Sequence, residues 1–285
     1  MNRRSFLIQS VAFALAGSAP PGAFASQQAR PPVRFRPTRF SVQVRGSGPD
    51  VIMIPGLTSG RHVWNAAVSA VPGYRYHLLQ VSGFAGEPAR GNADGPVVGP
   101  LTTEIARYIQ ALGLRRPAVV GHSMGGTIAM MLATRYPALV GRLMVVDMLP
   151  RPTAMYGGSA AAQLASSLGG LLGDAQGRQL ISSIVTAFTP PEDDDARASD
   201  ADVVTRAMHD LGTVDLTGDL PRIRAPLTVV YASRGEEGRA AIDRGFAQAY
   251  RSARGARLVR IDGSGHVVMA DQPQRFARAM REFLR

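Results

Sequence analysis

The stretch 117–137, PAVVGHSMGGTIAMMLATRYP, constrains the fold of this chain more than any other segment. A short apolar, β-branched run leads into Gly121-x-Ser123-x-Gly125, and an almost wholly apolar run of helical length leads out of it. A strand followed at once by a helix, both apolar on all sides, belongs inside a layered sheet covered on both faces. Glycines at 121 and 125 admit a turn too sharp for side chains, and Gly126 lets the helix pack close to the sheet. This strand, turn and helix form the setting of a nucleophile elbow, which would hold Ser123 at the carboxyl edge of the sheet beside a helix N-terminus. The plainer reading of Ser123 is a residue that caps that helix.

The rest of the chain keeps the same rhythm. Residues 39–44 alternate like an edge strand, and 50–56 read as a buried strand ended by Pro-Gly. Further strands are expected at 76–81, 117–121, 142–147, 225–232 and 256–262, and helices at 97–113, 124–136, 238–252 and 271–284. This pattern predicts an α/β fold with a doubly wound, mostly parallel sheet and functional sites at the carboxyl ends of its strands. Residues 151–221 interrupt the rhythm, because about seventy residues far exceed the usual connection of roughly 2–6. They read as a helical cap inserted after the strand ending near Asp147. The acidic run PPEDDDARASDAD within it reads as a solvated turn and helix start, without the ligand order of a calcium loop.

The N-terminus has the form of an export signal. Arg3 and Arg4 precede the apolar stretch 6–16, and Ala23-Phe24-Ala25 fits a signal peptidase site, predicting a signal peptide over 1–25 and a mature start at Ser26. The apolar stretch is shorter than the roughly 20 residues of a spanning helix, so no stable membrane insertion is expected after cleavage. RRSFL resembles a twin-arginine signal, which points to a periplasmic or secreted protein. Residues 26–37, rich in proline and arginine, read as an extended arm leading into a domain over 38–285.

Composition agrees with export and excludes several functions. With no cysteine there are no disulfides and no thiolate metal sites. All 32 basic residues are arginine, and the formal charge of +11 falls to +9 once Arg3 and Arg4 leave with the signal. The arginines are scattered and aromatic residues make up only 6%, so the chain lacks the basic face with stacking platforms of a nucleic-acid binder.

From residue 38 onward the chain resembles the α/β-hydrolase superfamily, in its serine-nucleophile, esterase-like branch. The resemblance implies a chain order of nucleophile, acid and histidine, with the histidine in a loop after the last strand. His266, within RIDGSGHVVMADQPQRF, stands at that position and would accept the proton of Ser123. Of the other histidines, His62, His77 and His209 lie in the wrong elements. His122 adjoins the nucleophile, and its side chain is expected to point away from it. The backbone N–H groups of Leu57 and Met124 would form the oxyanion hole. Many members carry His-Gly where this chain has Pro55-Gly56, with a tryptophan following, as at Trp64.

The acid has two candidates. Most members place it after the strand that follows the cap, where this chain offers Glu236 within VVYASRGEEGR. Others place it directly after the strand following the nucleophile helix, the position of Asp147. Asp147 is favoured, although it could instead be a strand-end turn former, and Glu236 a solvated charge at a helix start. The resemblance implies a serine hydrolase that acts on a small-molecule ester through an acyl-enzyme and needs no metal or cofactor. The aliphatic cap residues Leu164, Leu168, Leu171 and Leu172 suggest an apolar substrate pocket. Other chemistry on the same triad, such as C–C bond hydrolysis, lactone hydrolysis or perhydrolysis, and a non-catalytic binding protein remain the rival readings.

Overall fold

The computed structural model describes residues 35–156 and 194–285. The expected signal peptide, most of the arm and cap residues 157–193, with Leu164, Leu168, Leu171 and Leu172, lie outside the described residues.

Among the described residues, seven strands form one sheet in the order β1-β3-β2-β4-β5-β6-β7. They are β1 (Phe40–Arg45), β2 (Asp50–Ile54), β3 (Arg75–Val81), β4 (Ala118–His122), β5 (Arg142–Val146), β6 (Leu227–Ser233) and β7 (Arg257–Asp262). Only β1, at the edge, runs antiparallel to its neighbour. The other pairs are parallel, as strand-helix-strand crossovers require. The helices among the described residues are α1 (Asn65–Ala70), α2 (Val98–Ala111), α3 (Met124–Arg135), α4 (Ala201–Thr213), α5 (Arg239–Ala249) and α6 (Pro273–Leu284), with single turns at Asp194–Arg197 and Val268–Asp271.

Side chains alternate across the central strands, so each face gets its own core. Val119, Val145 and Val229 face a cluster with Leu101 and Ile105 of α2 and Ile128 and Leu132 of α3. Val120, Met144, Val146 and Val230 face the other way, onto Trp64 and onto Phe276, Met280 and Phe283 of α6. Burial on both sides explains why these strands read as continuous apolar runs. The expected strands and helices match the observed ones to within a few residues. The final helix differs, because Val268–Asp271 makes one turn and α6 then starts afresh at Pro273, whose fixed φ suits a first helical position.

In register, Gly121 pairs with Val145 and His122 with Val146. That alignment brings the residues just beyond both strands, Ser123 and Asp147, to the same edge of the sheet. The loop after β7 reaches that edge too, where Gly263 and Ser264 donate to the Ser233 carbonyl at 2.7 and 3.2 Å.

Candidate active site

Ser123 sits between β4 and α3 at φ 52° and ψ −121°, backbone that a non-glycine residue rarely adopts. The strain is held from both sides. Ser123 N–H donates to the Val146 carbonyl at 3.0 Å, and its own carbonyl accepts Gly126 N–H at 2.8 Å. A Cβ on Gly121 would lie 2.1 Å from the Gly125 oxygen, and one on Gly125 would lie 2.2 Å from the Ile54 oxygen. The turn therefore closes only with glycine at both positions.

Asp147 occupies the matching position one strand over and also has a positive φ, 49°. Its N–H donates to the Val230 carbonyl at 2.7 Å, and its Oδ1 accepts Ala232 N–H at 2.9 Å. With one oxygen anchored, Oδ2 is directed to Nδ1 of His266 at 2.7 Å. The other ring nitrogen, Nε2, lies 2.8 Å from Ser123 Oγ. Asp147 is 5% exposed and Ser123 8%, so both polar groups are largely withdrawn from water. Glu236 lies apart from this line: its side chain is 93% exposed and stands 3.8 Å from Arg239.

Three further contacts hold the site together, and sequence reasoning missed all of them. The expectation for His122 was that its side chain points away from Ser123; its ring centre lies 4.8 Å from that of His266, and its Nε2 donates to the His266 carbonyl at 2.8 Å. Burial, reinforced by the nearby His266, pushes the His122 pKa down to about 3, so this ring is neutral at ordinary pH. Asp271 accepts Gly265 N–H at 2.7 Å and so pins the histidine loop to the turn that follows it. Asp195 corrects the reading of the acidic run as merely solvated. It accepts Gly60 N–H at 2.6 Å and lies 3.3 Å from His62 Nε2, tying the acidic run to the loop that carries Leu57. Within the same run, Asp200 caps α4 by accepting from the N–H groups of Asp202 and Val203.

The Leu57 loop crosses directly over the elbow. A Cβ on Gly56 would lie 2.9 Å from His122 Nδ1 and 3.3 Å from Ser123 Cβ, which explains the glycine after Pro55. Leu57 N–H and Met124 N–H donate no hydrogen bond among the described residues. The Met124 group stands at the N-terminus of α3, where the helix dipole favours negative charge. Beside His266 and Asp147 opens a cavity of about 480 Å³ whose apolar wall includes Leu149, Met155, Ile242 and Phe246. The cavity reaches Asp147 and His266 and also includes Arg234 and Glu237, while Ser123 is not part of its lining. The line of Ser123, His266 and Asp147 can deprotonate a serine hydroxyl and stabilise the resulting imidazolium.

Comparison with known proteins agrees with the fold. The model of the family described as "Alpha/beta hydrolase family" matches residues 51–279. An uncharacterized protein of Mycobacterium tuberculosis is 30% identical over 123 residues, which is 42% of this chain and 36% of that protein, so the chain spans about a third of its length. An esterase of the same organism is 27% identical over 260 residues, 84% of each chain. Among solved structures, a hydrolase from Pseudomonas aeruginosa superposes with a TM-score of 0.69 at 20% identity, covering 86% of this chain and 94% of the other.

Proposed function

The chain belongs to the alpha/beta hydrolase family, and on that premise we propose that it is an exported serine hydrolase cleaving an ester-type bond of a small, apolar substrate. The observation that carries this reading is the unbroken line of contacts from Ser123 Oγ through His266 to Asp147, at 2.8 and 2.7 Å. Ser123 attacks the carbonyl carbon while His266 Nε2 takes its proton, and Asp147 holds the ring tautomer and balances the imidazolium. Negative charge then develops on the carbonyl oxygen, and the N–H groups of Leu57 and Met124 receive it. Collapse expels the alcohol, which takes the proton from His266, and leaves Ser123 acylated. Water, deprotonated by the same imidazole, then releases the acid and restores the serine.

The cavity on the Asp147 and His266 side of the site, with Leu149, Met155, Ile242 and Phe246 in its wall, supports an apolar substrate portion that extends past the imidazole. The similarity to a mycobacterial esterase over most of both chains supports the ester class. Arg3, Arg4, the apolar stretch after them and Ala23-Phe24-Ala25 support export along the twin-arginine route and cleavage after Ala25. Residues 151–221 are the cap in this scheme, and Asp195 is its tie to the loop bearing Leu57. Turnover of p-nitrophenyl esters of graded acyl length tests the reading. It requires activity in the wild type that Ser123→Ala abolishes without loss of fold, and it fails if the wild type hydrolyses none of them or the variant stays active.

A further inference from the structure

The opposite end of the sheet carries a second constellation. There β2, β3 and β5 begin at Asp50, Arg75 and Arg142, and the loop 113–117 leads into β4. A cavity of about 420 Å³ opens among them, lined by Arg75, Arg115, Arg116 and Arg142 against a single carboxylate, Asp50. Its volume falls within the range of small-molecule sites, about 300–1,000 Å³.

The charge in this cavity is not balanced from within. Asp50 is fully engaged, accepting from Arg75 Nε at 2.5 Å and Nη2 at 3.0 Å and from His77 Nε2 at 2.9 Å. It neutralises Arg75 and leaves three guanidinium groups. Arg142 Nη1 donates to the Phe283 carbonyl at 3.2 Å and Arg116 Nη2 to the Val140 carbonyl at 3.5 Å, neutral acceptors that orient the groups without cancelling their charge. Arg115 makes no hydrogen bond or ion pair among the described residues. Some arginines elsewhere are paired, Arg260 with Asp243 and Asp262, Arg151 with Asp215 and Arg257 with Glu282, and others, such as Arg107 and Arg244, are exposed on helices; the cavity differs in gathering four arginines around one opening.

The backbone beneath it is held in an unfavourable form. Arg116 has φ 50°, and a Cβ on its neighbour Gly141 would lie 2.1 Å from the Arg116 oxygen. Gly141 N–H clamps the loop by donating to the Pro117 carbonyl at 2.9 Å. Strain kept in place this way tends to mark functional positions. Like charges gathered at one opening repel one another, and an anion of matching charge relieves that repulsion. A carboxylate offers one charge and two oxygens, enough for one guanidinium fork. A phosphate monoester offers a charge of about −1.5 to −2 and three strong acceptor oxygens, enough for several forks.

We propose that the arginine-lined cavity at the strand starts binds the phosphate group of a phosphorylated small molecule or lipid headgroup. This is a binding function at the far end of the sheet from Ser123, independent of the ester chemistry. Isothermal titration calorimetry of the purified protein with pyrophosphate tests it at 0.15 M salt, where screening over about 8 Å suppresses diffuse surface association. The site predicts one saturable binding event, weakened at least tenfold in Arg115→Gln and in Arg142→Gln. Arg107→Gln, which removes an exposed arginine of α2 outside the cavity, is predicted to leave it unchanged. Unchanged thermal midpoints establish that the variants are folded. Co-sedimentation with phosphatidylcholine vesicles carrying phosphatidic acid distinguishes the sources. Vesicle binding lost in the same two variants identifies a headgroup, and pyrophosphate binding without vesicle binding identifies a soluble phosphate ester. Absence of saturable pyrophosphate binding, or equal weakening by Arg107→Gln, overturns the proposal.

Discussion

Asp147 and His266, 119 residues apart in the chain, meet at 2.7 Å, and the Asp147 oxygen not used in that contact is bonded to Ala232 N–H. The carboxylate is thus fixed by β6 at one oxygen and presents the other to the imidazole. Its left-handed backbone, at φ 49°, turns the side chain from the end of β5 toward the histidine loop.

If Asp147 orients the imidazole, Asp147→Asn lowers kcat by about 10⁴-fold, because an amide supports the wrong ring tautomer. Glu236→Gln, at an exposed side chain paired with Arg239, changes kcat by less than about twofold. Steady-state kinetics with circular dichroism of both variants checks this, and the reverse ranking would move the acid to Glu236.

His122 predicts a pH dependence of stability. Its folded pKa of about 3 lies below the ordinary 6.5, so the unfolded chain takes up the proton first. The stability contributed by the neutral ring is complete above about pH 6.5 and is lost as pH falls toward 3, by up to about 1.4 kcal/mol per pH unit. Thermal melts between pH 6.5 and 4.5 should show a slope in the wild type that flattens in His122→Gln. The same variant should retain most of kcat, since an amide can still donate to the His266 carbonyl, whereas His122→Phe should lose about tenfold, within the up to ~10²-fold cost of misplacing a catalytic group.

The Asp195 contact predicts an effect at a distance in sequence. Asp195→Ala releases Gly60 N–H and loosens the loop bearing Leu57, lowering kcat about tenfold, because misplacing a catalytic group by about 1 Å costs up to ~10²-fold. Asp195→Asn keeps an acceptor oxygen and should retain kcat within about twofold of the wild type, a recovery that general destabilisation would not give.

Export predicts a defined mature end. N-terminal sequencing of the exported protein should begin at Ser26, and changing Arg3 and Arg4 to lysine should block export if the twin-arginine route is used. A mature protein retaining residues 6–16 would reject cleavage after Ala25.

The sheet was legible because its central strands are buried on both faces, so Val119, Val120, Val145 and Val146 form continuous apolar runs. The elbow was legible because the glycines at 121 and 125 are sterically required, which leaves a spaced motif. His266 and Asp147 were legible as candidates through chain order, but the choice between Asp147 and Glu236 depends on strand alignment, which no local pattern encodes. The supporting contacts were hidden for a related reason. Gly60 and Asp195 are 135 residues apart, and a lone aspartate in an acidic run carries no mark of the N–H it will meet. His122 read as a bystander because nothing in its neighbours reveals that the carbonyl of His266 comes within 2.8 Å.

The most direct test of the central claim is labelling with a fluorophosphonate, read by mass spectrometry of the peptide containing Ser123. The account predicts a single adduct on Ser123, absent in Ser123→Ala and strongly slowed in His266→Ala. No adduct under conditions that label a control serine hydrolase, or an adduct on any other residue, would contradict it.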